Sequence, residues 1–103
     1  MTALERFNAG YIPEPNTGCW LWLMFLDPTN GYGKFYLGGG RKHYKTGYAH
    51  RFSYEQFIAP IPKGKEIDHV CKNRSCVNPH HLEAVTHKIN LERSDVISIL
   101  AQK

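Results

Sequence analysis

Between Asp68 and Asn90 the chain reads DHVCKNRSCVNPHHLEAVTHKIN, and this run constrains the fold more than any other. Four residues separate Cys71 from Cys76, and four more separate Cys76 from His81. Thiolate and imidazole groups at that spacing on a turn can converge on one tetrahedral Zn²⁺, which needs a fourth ligand to close a structural site. The chain has three cysteines, so Cys19 is the only thiol left to supply it. His80 is the competing imidazole, one residue from His81. A zinc site of this kind would pin the N-terminal part of the chain to the later loop. It would reinforce a core that 103 residues can make only modest. The other reading is three buried free thiols, a common state of intracellular cysteine. Against it, Lys72, Asn73, Arg74 and Ser75 between Cys71 and Cys76 offer little to bury a thiol. An odd, sparse cysteine count also argues against a secreted disulfide scaffold.

The rest of the chain reads as alternating short elements. Residues 3–9 suit a helix closed by Gly10, and Pro13 to Gly18 a loop. Cys19 to Leu26 is a dense apolar run whose aromatics favour a strand. It ends at Asp27-Pro28, and the Asn30-Gly31 turn predicts a hairpin with Tyr32–Leu37. Gly38-Gly39-Gly40 turns the chain into a third strand over His43 to Ala49. The triple glycine lacks the following Lys-Ser/Thr of a phosphate-binding loop, so it reads as a plain turn. His50 to Ile58 favours a helix stopped before Pro60. Short strands at Glu66–Val70 and Leu82–Val85 flank the loop Cys71–His80. Thr86 is placed to cap a C-terminal helix with Ile89, Val96, Ile97 and Leu100 on its core stripe. With 42% hydrophobic and 13% aromatic residues the chain is expected to fold, as a single domain over 1–103.

The pair Asp68-His69, then Asn78 and Asn90, resemble in that order the motif of the HNH (His-Me finger) endonucleases, and the added zinc ligands resemble its His-Cys box branch. The likeness is close over residues 66–93. GCWLW, GYGKF and AHRFSYE extend it more loosely to small phage-type HNH proteins. The resemblance implies an α+β fold, with small N-terminal antiparallel β hairpins followed by a zinc-stabilised ββα-metal core at about 66–101. It also implies a metal-dependent DNA endonuclease using one Mg²⁺ or similar divalent cation and leaving 5′-phosphate and 3′-hydroxyl ends. In that role His69 is the general base, because a neutral imidazole titrates near working pH and takes the proton of water. Asp68 and Asn90 supply the hard oxygen ligands that such an ion prefers. Arg93 shares the helical face of Asn90 and is placed to hold the phosphate. Arg51, in AHR, resembles a family arginine near the scissile phosphate, beside the simpler reading of an i,i+4 pair with Glu55. Asn78, before Pro79, is expected to tie the loop through backbone hydrogen bonds. Adjacent strand residues point to opposite faces, so Asp68 and His69 serve one site only if the strand ends or twists there, or if the scissile phosphate lies between them. Taken singly, His69 also fits a packed core histidine, and Asn90 and Arg93 fit exposed helix residues. His50 and His87 carry weaker signals.

Net charge of +4 and a pI near 9.1 fit a polyanionic partner. Lys34, Arg41, Lys42, Lys45, Arg74 and Lys88 are the candidate phosphate contacts, which would make DNA affinity salt-dependent. A homodimer is the simplest way for so small a chain to cut both strands. No membrane partner is expected, since CWLWLMFL falls far short of a span. MTALERFNAG lacks a basic region followed by an apolar stretch, so an intracellular location is expected, in the cytoplasm of a phage-infected host if the resemblance holds. The alternative is a non-catalytic zinc-stabilised module that binds nucleic acid or protein, which needs none of Asp68, His69 and Asn90. A nuclease acting on RNA or without sequence preference is a third reading.

Overall fold

The computed structural model describes residues 1–93. Thr2 opens the first element with a capping box: its Oγ1 accepts from the Glu5 N–H at 3.1 Å, and Glu5 Oε1 accepts from the Thr2 N–H at 3.0 Å. The helix that follows, α1 (Ala3–Asn8), buries Phe7 completely. Then come β1 (Tyr11–Pro13), β2 (Trp20–Trp22), β3 (Lys34–Gly38), β4 (Lys45–Tyr48), α2 (Ala49–Phe57) and β5 (Lys65–His69). A 3₁₀ turn at Pro79–His81 leads into β6 (Leu82–Thr86), and residues 87–93 are helical. The strands form three separate antiparallel pairs, β1–β2, β3–β4 and β5–β6. This is the expected α+β class with small antiparallel hairpins.

One expected pairing is not formed. The apolar run Cys19–Leu26 is a strand only over Trp20–Trp22, and it pairs back with β1, Tyr11 opposite Trp22, rather than forward with Tyr32–Leu37. Tyr11–Pro13, which ends on the first residue of the expected loop, is therefore a strand. Between the expected partners there remain a single bridge, Leu26 to Gly33, and the Lys34 N–H to Phe25 carbonyl bond at 3.0 Å. The reason is the Trp22 indole, buried between Gly10 and Gly33. A Cβ on either glycine would lie 2.6 or 2.5 Å from its ring. The run is held to the N-terminal side, with the Leu23 N–H donating to the Gly10 carbonyl at 2.8 Å, and Leu23, Met24 and Phe25 stay exposed.

Phe7, Trp22, Ala49 and Val77 form the core, with Tyr11, Trp20, Phe35 and Phe52 packed against it. Tyr11 and Trp20 stack at 4.5 Å between ring centroids. Burying each large side chain contributes about 1.5–3 kcal/mol. Helix α2 is tied to this core by the Ser53 hydroxyl, which donates to the Val77 carbonyl at 2.6 Å.

The β5–β6 hairpin presents two faces. Its register sets Asp68 opposite Glu83 and His69 opposite Leu82. Side chains alternate along a strand, so Asp68, Glu83 and buried Val85 face one side, while His69, Ile67 and Leu82 face the other. Thr86 Oγ1 accepts from the Ile89 N–H at 3.2 Å, as expected of a cap for the helical residues. Ile89, expected on the core stripe, is exposed, while Arg93 one turn on reaches Asp68 on the hairpin. Val96, Ile97, Leu100 and the expected end of the core near 101 lie outside the described residues. No helix among the described residues is long and apolar enough to cross a membrane.

Candidate metal centre and active site

The loop from Cys71 to Cys76 is shaped by its own polar side chains. Asn73 Oδ1 accepts from the Ser75 backbone N–H at 3.0 Å and from its hydroxyl at 2.8 Å. The Cys76 N–H donates to the Asn73 carbonyl at 3.0 Å, and Lys72 takes a left-handed φ of 65° to let the chain turn. Backbone bonds then join this loop to β2: the Trp22 N–H reaches the Ser75 carbonyl at 3.0 Å, and the Val77 N–H the Trp20 carbonyl at 2.8 Å. Asn78 completes the join. Its Nδ2 donates to the Gly18 carbonyl at 2.6 Å, and its Oδ1 accepts from the His80 N–H at 2.9 Å.

These contacts bring Cys19, Cys71, Cys76 and His81 together, with one ligand atom of each within 4.8 Å of the others. His81 Nδ1 lies 3.7 Å from Cys19 Sγ and 3.5 Å from Cys76 Sγ. A tetrahedral zinc ion with bonds of about 2.0–2.3 Å spaces its ligands by roughly 3.5–3.8 Å. Three soft thiols and an imidazole at these separations fit zinc, and His80 is exposed and outside the group. Burial pushes both the Cys71 and Cys76 thiols up, Cys76 to about 12. Without a cation they stay protonated; an ion binding there would displace those protons.

Asp68 and His69 follow the alternation of their strand. The Asp68 carboxylate accepts from Arg93 Nη1 at 2.7 Å, and the Arg93 guanidinium also reaches Glu83 Oε1 at 3.4 Å. These carboxylates hold the Arg93 pKa above its ordinary value. Asn90, half-buried, sits one helical turn before Arg93 and so shares the face turned to Asp68. The Asp68 carboxylate is thus paired with the Arg93 guanidinium, and the side-chain oxygens of Asp68 and Asn90 are of the hard kind that a divalent ion prefers.

His69 lies on the other face, 5% exposed. Burial lowers its pKa to about 4, against a hydrogen bond to the Cys76 backbone and the nearby Asp68 charge, which raise it. Its Nε2 is buried and has no hydrogen-bond partner among the described residues. The ring stacks on Tyr32 at 5.5 Å and lies 4.7 Å from the ring of His50. The His50 pKa falls to about 3 through burial and then the His69 and Arg51 charges, and its Nδ1 is likewise buried and unpartnered. Over Tyr32 sits the Arg74 guanidinium at 5.7 Å, its Nη1 donating to the Asn30 carbonyl at 3.0 Å.

Arg51 is apart from these groups. It is exposed and lines a groove with Ala3, Leu37 and Glu55, and among the described residues it makes no ion pair with Glu55. An exposed i,i+4 pair contributes only about 0.3–0.5 kcal/mol, too little to fix two long side chains. Of the candidate phosphate contacts, Arg41, Lys42, Lys45 and Lys88 are exposed, while Lys34 pairs with Asp27 at 3.2 Å. Tyr32 and Glu83 were not among the expected residues. Glu83 is found by closing the hairpin on Asp68; nothing local marks Tyr32.

A family model described as HNH endonuclease matches residues 47–92. The stretch holds every expected site residue except Cys19 and Arg93. The gene 5.3 protein of Enterobacteria phage T3 is 34% identical over 88 residues, which cover 84% of this chain and 87% of that protein. Protein 7.7 of Escherichia phage T7 is 36% identical over 64 residues, 62% of this chain and 45% of its own length. Protein 2.8 of the same phage is 33% identical over 79 residues, 77% of this chain and 50% of its own. The chain thus spans about half the length of these two T7 proteins. No solved structure matches it significantly.

Proposed function

Because the chain belongs to the HNH endonuclease family, we propose that it is a metal-dependent DNA endonuclease, nicking duplex DNA or cutting both strands as a symmetric dimer. The observation that carries this reading is the Arg93 to Asp68 contact. It sets the helical face of Asn90 against Asp68 at the end of the strand. His69, the last strand residue, faces the other way, so the scissile phosphate in this reading lies across the strand end, between Asp68 and His69.

In this mechanism His69 Nε2 takes a proton from water as the resulting oxygen nucleophile attacks phosphorus. The bond to the 3′ oxygen breaks, leaving 5′-phosphate and 3′-hydroxyl ends. Asp68 and Asn90 would hold a divalent ion such as Mg²⁺, which when bound would supply positive charge to the phosphate and the departing oxygen. Arg93 holds the phosphate from the position in which Asp68 and Glu83 keep it, with donors left to spare. Arg51 contacts the DNA strand further out. Cys19, Cys71, Cys76 and His81 hold a structural zinc. The relatives are phage proteins, and we place the activity in the cytoplasm of an infected host.

The burial of His69 favours a second reading, a zinc-stabilised binding module without catalysis. Plasmid nicking separates the two. The nuclease reading expects Mg²⁺-dependent nicking by wild type and a loss of at least about a hundredfold in His69→Ala. Equal residual activity in both proteins would leave only the binding module.

A further inference from the structure

His50 is a buried imidazole that the reaction described so far does not use. It sits in the first turn of α2, 4% exposed, between the rings of Tyr32, Tyr48 and His69 at 4.6, 5.6 and 4.7 Å. Two of the three buried side-chain nitrogens without a partner among the described residues belong to this pair, His50 Nδ1 and His69 Nε2. Leaving such a group unsatisfied costs about 1–3 kcal/mol, so two in neighbouring rings call for one explanation. Two unpartnered nitrogens in neighbouring rings would together offer a water molecule the two polar partners it needs to be held inside a protein.

We propose that His50 is a second catalytic imidazole: its Nδ1 holds, together with His69 Nε2, the water that attacks the phosphodiester. The inference rests on the nuclease reading above. His69 Nε2, buried and without a partner among the described residues, is the acceptor offered to the water. One water proton goes to His69 Nε2. The second O–H stays with the water oxygen and donates to His50 Nδ1, so the oxygen lone pairs are turned away from both rings toward phosphorus. The new O–P bond forms as the P–O3′ bond breaks, and the departing oxygen takes a proton from solvent. His50 changes neither charge nor covalent structure; it fixes the direction of attack.

The test uses the identity of the unpartnered atom. An asparagine places a polar atom near the position of a histidine Nδ1, whereas a glutamine reaches only the Nε2 position and a leucine offers none. His50→Asn is expected to keep kcat within about threefold. His50→Gln and His50→Leu are expected to lose roughly ten- to a hundredfold in kcat with KM for DNA little changed, the effect of a misdirected nucleophile. A packing role predicts the reverse order, because Gln and Leu fill the space better than Asn. That order, or equal activity in all three, would overturn the proposal. If none of the variants folds, a high-resolution crystal structure of the wild-type protein decides. A water within hydrogen-bond distance of both nitrogens supports the proposal, and direct contact or a dry gap between them refutes it. Wild-type protein inert with Mg²⁺ would bring down the nuclease reading itself. Nicking that depends on His69 but ignores His50 would bring down this inference alone.

Discussion

At the scale of single residues, the choice between two adjacent histidines is the sharpest test of the metal centre. His81 Nδ1 lies within 3.7 Å of two thiols, while His80 is exposed and lends only its backbone N–H to Asn78. Metal analysis of protein purified without added metal should find about one zinc per chain in wild type and in His80→Ala. His81→Ala and Cys76→Ser should lose both the zinc and the cooperative melt, since metal affinity at such a site is folding energy. His69→Ala should keep both, being outside the ligand set. Full zinc in His81→Ala would show the ligand group to be wrong. Asn78 is a second test at this scale. Its side chain joins the Gly18 carbonyl to the His80 N–H, across the two chain segments that carry the ligands. Asn78→Ala leaves both groups short of a partner and should cost about 1–3 kcal/mol. In a domain of this size that lowers the melting temperature by about 4–8 °C per kcal/mol. An unchanged melt would mean that solvent satisfies both groups.

At the scale of elements, what was legible in the sequence is what local chemistry decides. Thr2 with Glu5, Pro60 after α2 and Thr86 before residue 87 mark helix ends through caps and breakers, and those boundaries fall within a residue or two. β5 and β6 were legible because the ligand loop between them fixes their partners. The partner of β2 was not, because three-residue strands carry too little pattern and burial of Trp22 decides where the run can pair. The site divides in the same way. Cys71, Cys76 and His81 announce themselves by spacing, and Cys19 by being the only thiol left. The approach of Tyr32 and His50 to His69 depends on the path of the whole chain and has no local sign. Gly33 shows how such a path is held. It has no room for a side chain beside Trp22, and its carbonyl accepts the Ala49 N–H at 2.7 Å, anchoring the start of α2 one residue before His50. Gly33→Ala should therefore destabilise by about 1–3 kcal/mol through overpacking. The near-ultraviolet signal of Trp22 should change with it. A urea midpoint equal to wild type would show that the indole can retreat without loss.

At the scale of the whole molecule, charge governs both what the protein binds and when it unfolds. Exposed Arg41, Lys42 and Lys45 lie on the β3–β4 turn and at the start of β4. If they contact phosphates, each neutralised residue should reduce the salt slope of log K for duplex DNA by about 0.9. A Lys42→Ala, Lys45→Ala double variant with an unchanged slope would move the interface elsewhere. Acid stability turns on a different group. Burial holds His50 neutral in the folded protein, with its pKa near 3 against an ordinary 6.5. Below 6.5 the unfolded chain binds a proton that the folded protein refuses, so stability falls as pH drops toward 3 and is constant, for this group, above 6.5. The slope approaches about 1.4 kcal/mol per pH unit, or about 2 kcal/mol between pH 6.5 and 5. With zinc bound at the Cys19, Cys71, Cys76 and His81 group, protonation of its ligands in acid would release the ion, so His50 is isolated by comparison with a variant. His50→Leu removes the titrating ring and leaves the ligands in place. In urea unfolding with zinc present, wild type should lose about 2 kcal/mol more than His50→Leu across that interval. Parallel curves would mean that His50 takes up its proton inside the folded protein, and that the pocket beside His69 is open to water.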